Sequence, residues 1–293
     1  MKAAIIVDST AGLRPESAAI PGVFQIYLST IFKDGTVFID TADDDLTQQF
    51  YDRMENEREL PTSSQPDPQQ AYDLFDQIIS EGYDTVFGLF ISDNLSGTYQ
   101  TVVSVAQEYQ DRLTIHLIDS QTVSFVLEAA LLNLHELIKA DLETDAILKQ
   151  IDSLIKQSVF YFVPESLTNL VKGGRLSSFS GLVGNLLSIK PLINVGPTTN
   201  GEVFVSEKIR SSKKAMTRLF DIACDAIEGF PDGTYITVGH TGAPLAAHEL
   251  RDRLLAKFPE KSVRIGFITP VLGTHGGRGA ISINIAPLIT SKD

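Results

Sequence analysis

Short apolar runs alternate with longer helix-like segments through the first half of the chain, and this alternation restricts the fold more than any other feature. Residues 3–7 form a β-type run that stops at Asp8-Ser9-Thr10, and residues 23–31 form a second, rich in β-branched and aromatic side chains. Segments 48–57 and 69–80 read as helices separated by a Pro-Thr-Ser-Ser-Gln-Pro loop. Residues 85–91 read as a strand, followed by a polar turn and a helix over about 99–109. A further strand over 114–118 ends at Asp119-Ser120, ahead of a long helix over 123–139. Strands alternating with helices of this length predict a parallel sheet covered by helices on both faces. Ligands of such sheets collect at the carboxyl ends of the strands. Ser9, Ser96 and Ser120 all follow strands, so a site at one sheet edge is expected.

The second half reads differently. A helix over 142–156 and a strand over 159–163 lead to Lys172-Gly173-Gly174-Arg175, a Ser/Gly-rich apolar stretch and a strand over 188–195. The turn Gly196-Pro197-Thr198-Thr199-Asn200-Gly201 joins that strand to 202–205 as a hairpin. Two helix–strand units follow, with strands at 235–239 and 263–268, and a last strand at 280–285 comes after a His275 loop. The prediction is an α/β domain over residues 1–155 and an α+β domain with a mixed sheet over residues 156–293, which suits a chain of 293 residues.

Charge and composition exclude several function classes. A net charge of −13 argues against general binding to nucleic acid or to anionic membrane surfaces, both of which need a basic footprint. Residues 172–218 are the exception. They carry eight basic residues (Lys172, Arg175, Lys190, Lys208, Arg210, Lys213, Lys214 and Arg218) against Glu202 and Glu207. The stretch is therefore +6, which leaves −19 for the rest, and it reads either as a solvated face or as a docking patch for an anionic partner. The single cysteine, Cys224, lies in an apolar helical stretch and reads as core. The first apolar run is too short for a signal peptide, and the uncharged stretch 176–189 is too short to span a bilayer. A cytoplasmic protein is expected.

Three short polar segments carry the chemistry: Ser63-Ser64-Gln65-Pro66, Leu95-Ser96-Gly97-Thr98, and Gly273-Thr274-His275-Gly276-Gly277-Arg278-Gly279. Hydroxyls, an imidazole and backbone N–H groups made approachable by glycine are what holds a small anion such as a carboxylate. The five histidines form no metal-ligand pattern, so no metal is expected. No phosphate-binding GxxxxGK[ST] loop occurs, and the glycine run at 273–279 leads into a strand, the wrong context for a dinucleotide fingerprint. Ser96, His275 and Asp8 or Asp119 could form a nucleophilic triad. Ser96 is not in a GxSxG elbow, however, and a Ser before a helix is commonly a cap. Cap, ligand hydroxyl and nucleophile all remain open for Ser96, and Ser63 alone reads as a plain loop hydroxyl.

The ordered set of motifs resembles the DegV family of bacterial fatty-acid-binding proteins. Asp8-Ser9-Thr10-Ala11-Gly12-Leu13 is similar to the family's Asp-Ser-Thr-Ala-Asp-Leu, and Ser63-Ser64-Gln65-Pro66 to its Thr-Ser-Gln-Pro. Leu95 to Gln100 looks like Leu-Ser-Gly-Thr-Tyr-Gln. Asp119-Ser120, Gly173-Gly174-Arg175-Leu176, Ile189-Lys190-Pro191, Lys208-Ile209-Arg210 and Gly273-Thr274-His275 follow in family order. The resemblance implies a two-domain protein that is not an enzyme and holds one long-chain fatty acid as its ligand, without a cofactor. It implies that Ser63, Ser96 with Gly97, and His275 with Thr274 bind the carboxylate. It further implies a partner fatty-acid kinase related to dihydroxyacetone kinases, which phosphorylates the acid for phospholipid synthesis, with Arg175 and Arg210 at the docking surface and transient membrane contact allowed. A Ser/His-dependent hydrolase or transferase of small molecules is the alternative. Two departures stand out: Ser63 keeps the hydroxyl of the usual Thr, and Arg278 replaces a Pro. A fatty-acid site is physically coherent. A sixteen-carbon tail gains on the order of 12 kcal/mol gross from water, whereas a charge-assisted hydrogen bond contributes only about 1.5–3 kcal/mol.

Overall fold

The computed structural model describes residues 2–176, 189–230 and 233–289. The first half comprises β1 (Ala3–Asp8), α1 (Pro15–Ala18), β2 (Val23–Ile26), β3 (Ser29–Ile31), β4 (Val37–Ile39), α2 (Asp44–Asn56), β5 (Thr62–Ser64) and α3 (Pro68–Ser80). It continues through β6 (Thr85–Phe90), α4 (Thr98–Ala106), β7 (Thr114–Asp119), α5 (Phe125–Lys139) and α6 (Thr144–Gln157). The second half contains β8 (Val159–Val163), α7 (Thr168–Lys172), β9 (Lys190–Asn194), β10 (Phe204–Ile209) and α8 (Ser212–Glu228). It ends with β11 (Thr234–His240), α9 (Pro244–Lys257), β12 (Arg264–Phe267), α10 (Pro270–Gly276) and β13 (Ile281–Pro287).

Strands β2-β1-β6-β7 form the expected parallel sheet, with every pairing parallel. All six residues of β6 are buried, as a strand covered on both faces requires. On one face lies α3, started by Asp67 accepting from Gln69 N and by Pro68 in the first turn, and burying Ala71, Phe75 and Ile78 at i, i+4 and i+7. On the other face α5 and α6 bury Leu127, Leu131 and Leu134 with Ile147, Ile151 and Ile155. Each such isoleucine contributes about 1.5–3 kcal/mol, so Ile151→Asp would release α6.

The second half builds a six-stranded mixed sheet in the order β10-β9-β8-β13-β11-β12. Strand β8 shows how it is used. Phe160 and Phe162 point to a cluster shared with Ile91, Val123 and Val126 of the first half, while Val163 and Tyr161 pack with α8 and α9 on the opposite face. A buried ion cluster also joins the halves. Glu128 on α5 accepts from Arg14 Nε (2.9 Å), Ser17 Oγ (2.7 Å), Arg264 Nη1 (2.6 Å) and the Tyr235 hydroxyl. Burial opposes its ionisation, but Arg264 and these donors prevail and hold the carboxyl below its usual range.

Three local readings are corrected by the structure. The run over 23–31 is not one strand. Tyr27 N donates to Gln70 Oε1 and Leu28 N to Ser9 Oγ, which diverts the backbone from the ladder. The segment beyond the break, β3, then joins a small antiparallel sheet, β4-β3-β5. The loop expected before Pro66 contributes β5 to that sheet. The His275 loop is helix α10, started by Pro270 in its first turn, closed by Thr274 Oγ1 donating to Pro270 O (2.9 Å), and ended by Gly277 at φ +76°. The hairpin is present as β9 and β10, although β10 lies further along than 202–205 and carries a bulge between Val205 and Glu207. Most of the uncharged stretch 176–189 lies outside the described residues. Among the described residues no helix is long and apolar enough to cross a membrane.

Candidate functional site

A cavity of about 310 Å³ lies where the two large sheets and the small sheet converge. Its apolar wall comes from both halves: Ile91 and Val123 follow β6 and β7, Phe160 and Phe162 come from β8, and Val195 and Val203 flank the β9–β10 turn. Val271 and Leu272 of α10 complete it. Most of the polar lining, Ser63, Gln65, Ser96, Arg175 and His275, gathers at one end, and Ser64 and Thr241, whose hydroxyl meets Gly277 O and Ala280 N, are the further polar side chains. Four segments far apart in sequence thus supply one polar mouth.

Strand β5 places Ser63 opposite Thr30, and its hydroxyl lies 2.7 Å from His275 Nε2. Burial, with a smaller contribution from the charge of Arg175, lowers the His275 pKa to about 4, so the imidazole is neutral at neutral pH. His275 Nδ1 is buried without a hydrogen-bond partner among the described residues. The backbone at Gly173 packs against this ring, and a Cβ there would come within 2.3 Å of Nδ1, so only glycine fits. Arg175 donates from Nε to Leu95 O (3.2 Å) and from Nη1 to Gly173 O (2.7 Å), tying the two loops together beside the histidine.

Ser96 and Gly97 begin α4. The Ser96 hydroxyl lies 2.8 Å from Thr98 Oγ1 and accepts from Thr98 N at 3.4 Å, so it closes a local turn while also lining the cavity. Gly97 is the N-cap residue, and a Cβ there would meet Gln65 Oε1 at 2.0 Å; Gln65 in turn donates to Thr101 Oγ1 (2.7 Å). Ser63, Ser96, Gly97 and His275 are therefore brought together. Thr274 is not among them: its hydroxyl bonds Pro270 O and lies 3.3 Å from Thr30 Oγ1. Arg210 is exposed beyond the end of β10, away from the cavity lining. Arg278 turns to α2, where Nη1 meets Asp52 Oδ1 (2.9 Å) and Glu55 Oε2 (2.6 Å).

The geometry does not assemble a nucleophilic triad from the named residues. His275 pairs with Ser63 rather than Ser96, and among the described residues no carboxylate orients its other nitrogen. Asp119 Oδ1 accepts from Asp93 N and Gln121 N. Asp8 accepts from Thr10 and from Ile91 N (2.6 Å). Among the described residues no group of three or more His, Cys, Asp or Glu could hold a metal ion.

One supporting residue escaped the sequence reading. Asp40, buried at the end of β4, accepts from Val271 N (2.9 Å) at the start of α10 and from Ser9 Oγ (2.8 Å). Ser9 Oγ in turn accepts from Leu28 N (3.1 Å). Asp8 and Asp40 thus hold the backbone of Ile91, Leu28 and Val271, all on the cavity wall. Burial raises the pKa of Asp8 to about 6 and that of Asp40 to about 7, against the opposing pull of their donors. The sole signal in the sequence was an acid closing the apolar Val-Phe-Ile run.

Comparison with known proteins places this geometry in a family. The DegV family, described as uncharacterised proteins, matches residues 2–288. A DegV domain-containing protein of Listeria innocua is 32% identical over 282 residues, 96% of this chain and 97% of its own length. The crystal structure of a fatty acid binding DegV family protein from Streptococcus agalactiae shares 32% identity, covers 99% of this chain and 100% of that one, and has a TM-score of 0.89. Bacillus subtilis DegV, named as a fatty acid binding protein, shares 28% identity over 98% of this chain and 99% of its own, with a TM-score of 0.86. The protein whose two halves enclose this cavity belongs to the DegV family.

Proposed function

We propose that the protein is a carrier that holds one long-chain fatty acid, with the tail in the apolar cavity and the carboxylate at Ser63, Ser96 and His275. The carrying observation is the cavity itself, apolar over most of its wall and polar at one end, where hydroxyls, a neutral imidazole and Arg175 converge. Hydroxyls can donate to both carboxylate oxygens, and Arg175 supplies a positive charge beside a buried anion that would otherwise be costly. The fatty-acid-binding relatives support the same ligand.

In this reading the protein does not turn its ligand over. It works in the cytoplasm and presents the carboxylate to a kinase of the dihydroxyacetone-kinase type, which forms the acyl phosphate used in phospholipid synthesis. Support comes from the family motifs, from Arg175 at the mouth and from the exposed Arg210. Mass spectrometry of lipid extracted from the natively purified protein tests the carrier reading. One long-chain fatty acid per chain is the expected result, and an empty protein with esterase turnover would overturn it.

A further inference from the structure

Resting on the carrier reading, we propose that the outer side of the mouth contains a subsite for the phosphoryl group of an acyl phosphate, built by Arg58 and Lys172. A second space, a crevice of about 350 Å³, meets the tail cavity at Ser63, Arg175 and His275 and shares no other lining residue with it. The mouth residues therefore stand between a largely apolar chamber and a crevice that carries cations on its wall. A carboxylate bound at the mouth that gains a phosphoryl group grows away from its tail, and the crevice is where that growth finds room.

The chemistry of the crevice fits the added group. Its described lining includes the cations Arg58 and Lys172, and Arg175 where it meets the cavity. Glu59, the carboxylate on this wall, is engaged by Lys33 at 3.2 Å. Arg58 and Lys172 are exposed and approach from different elements, one from the segment between α2 and β5 and the other from the end of α7. An acyl phosphate carries more negative charge than the carboxylate it came from. In a chain of net charge −13, the product would be repelled unless local cations offset that field. Arg58 and Lys172 touch the crevice but not the tail cavity, so they act on the phosphorylated ligand and leave the free acid almost untouched.

The test compares palmitate with the β-ketophosphonate analogue of palmitoyl phosphate, in which a methylene replaces the anhydride oxygen. Affinities are measured for the wild-type protein and for Arg58→Ala/Lys172→Ala at low and moderate salt. The expected result is an about tenfold loss for the ketophosphonate, smaller at moderate salt, with palmitate within about twofold of wild type. Lys172→Arg on the Arg58→Ala background should recover part of the loss. Equal effects on both ligands, or none on either, would overturn the subsite. Inorganic phosphate alone, followed by ³¹P line width, is the second arm. Cation-dependent binding of free phosphate without any effect on the ketophosphonate would also overturn it, assigning the crevice to a free anion. Failure of the wild-type protein to bind palmitate would overturn the carrier reading first and this subsite with it.

Discussion

The mouth and the wall of the cavity are built in opposite ways. The mouth uses a few side chains from four distant segments, held by named hydrogen bonds and by two glycines that allow side chains within van der Waals reach of backbone. The wall uses aliphatic and aromatic side chains from both halves, with no directional contact to the ligand space. Burial of methylenes is non-directional and large, whereas hydrogen bonds are directional and modest in net value. In the proposed carrier, the wall therefore supplies affinity from water, and the mouth supplies orientation. For a ligand taken from a bilayer the tail is already in hydrocarbon, most of the wall's gain cancels, and the mouth decides the net transfer.

This contrast breaks most easily at the wall. Phe160→Glu should abolish lipid retention, with an affinity loss of about a hundredfold or more, because a carboxylate facing hydrocarbon must be desolvated or neutralised. Circular dichroism alongside the binding assay separates this from unfolding. Retention of wild-type affinity would mean that the tail lies elsewhere.

At the mouth, His275→Ala should weaken retention by about tenfold in a vesicle-exchange assay, and Ser96→Ala by less, because the Ser96 hydroxyl is already shared with Thr98. The same variants should lose less when affinity is measured from water. Wild-type exchange by both would remove the head group from this end.

The two arginines sharpen the comparison further. Arg175 braces Leu95 O and Gly173 O at the mouth, so Arg175→Ala should lower both lipid affinity and kinase-coupled phosphorylation. Arg210, exposed and outside the cavity lining, should slow phosphorylation several-fold when changed to Ala, with lipid binding unchanged and the effect strongest at low salt. Identical behaviour of the two variants would erase the distinction between mouth and docking face.

The smallest effect concerns the support beneath the wall. Asp40 has its pKa raised from 3.8 to about 7, so the folded state binds its proton more tightly than the unfolded chain. That contribution to stability is fully present below about pH 3.8 and is lost as pH rises towards 7. Asp40→Asn should flatten this part of the stability profile. His275, with its pKa lowered from 6.5 to about 4, acts in the opposite sense: its contribution is present above 6.5 and is lost as pH falls through 4. Denaturant melts across this range on Asp40→Asn and His275→Ala check both signs. A wild-type profile in Asp40→Asn would show that Asp40 keeps the same proton affinity folded and unfolded.

The parallel sheet was legible because β1 and β6 are almost wholly apolar, β7 carries Ile115, Leu117 and Ile118 ahead of Asp119, and helices with clear apolar faces separate the three. The small sheet was not, because its three-residue strands are no longer than turns and Ser63 looks like loop chemistry until Thr30 lies opposite it. Helix α10 was hidden for a related reason: its glycines read as a loop, and its helical form depends on Pro270 in the first turn, on Asp40 accepting from Val271 N and on Thr274 Oγ1 donating to Pro270 O, with Tyr51 donating to the preceding Ile268 carbonyl.

By itself, the sequence determined the α/β class, the mixed second sheet, the ordered motifs and the candidate hydroxyls and imidazole, since each depends on local periodicity or on short-range spacing. Only the tertiary structure decided that Ser63 pairs with His275, that Thr274 and Arg278 turn away, and that Phe160 and Phe162 line a cavity rather than fill a core. An apolar side chain has the same composition and period in either setting. Whether space lies beside it depends on how two sheets, far apart in sequence, meet across it.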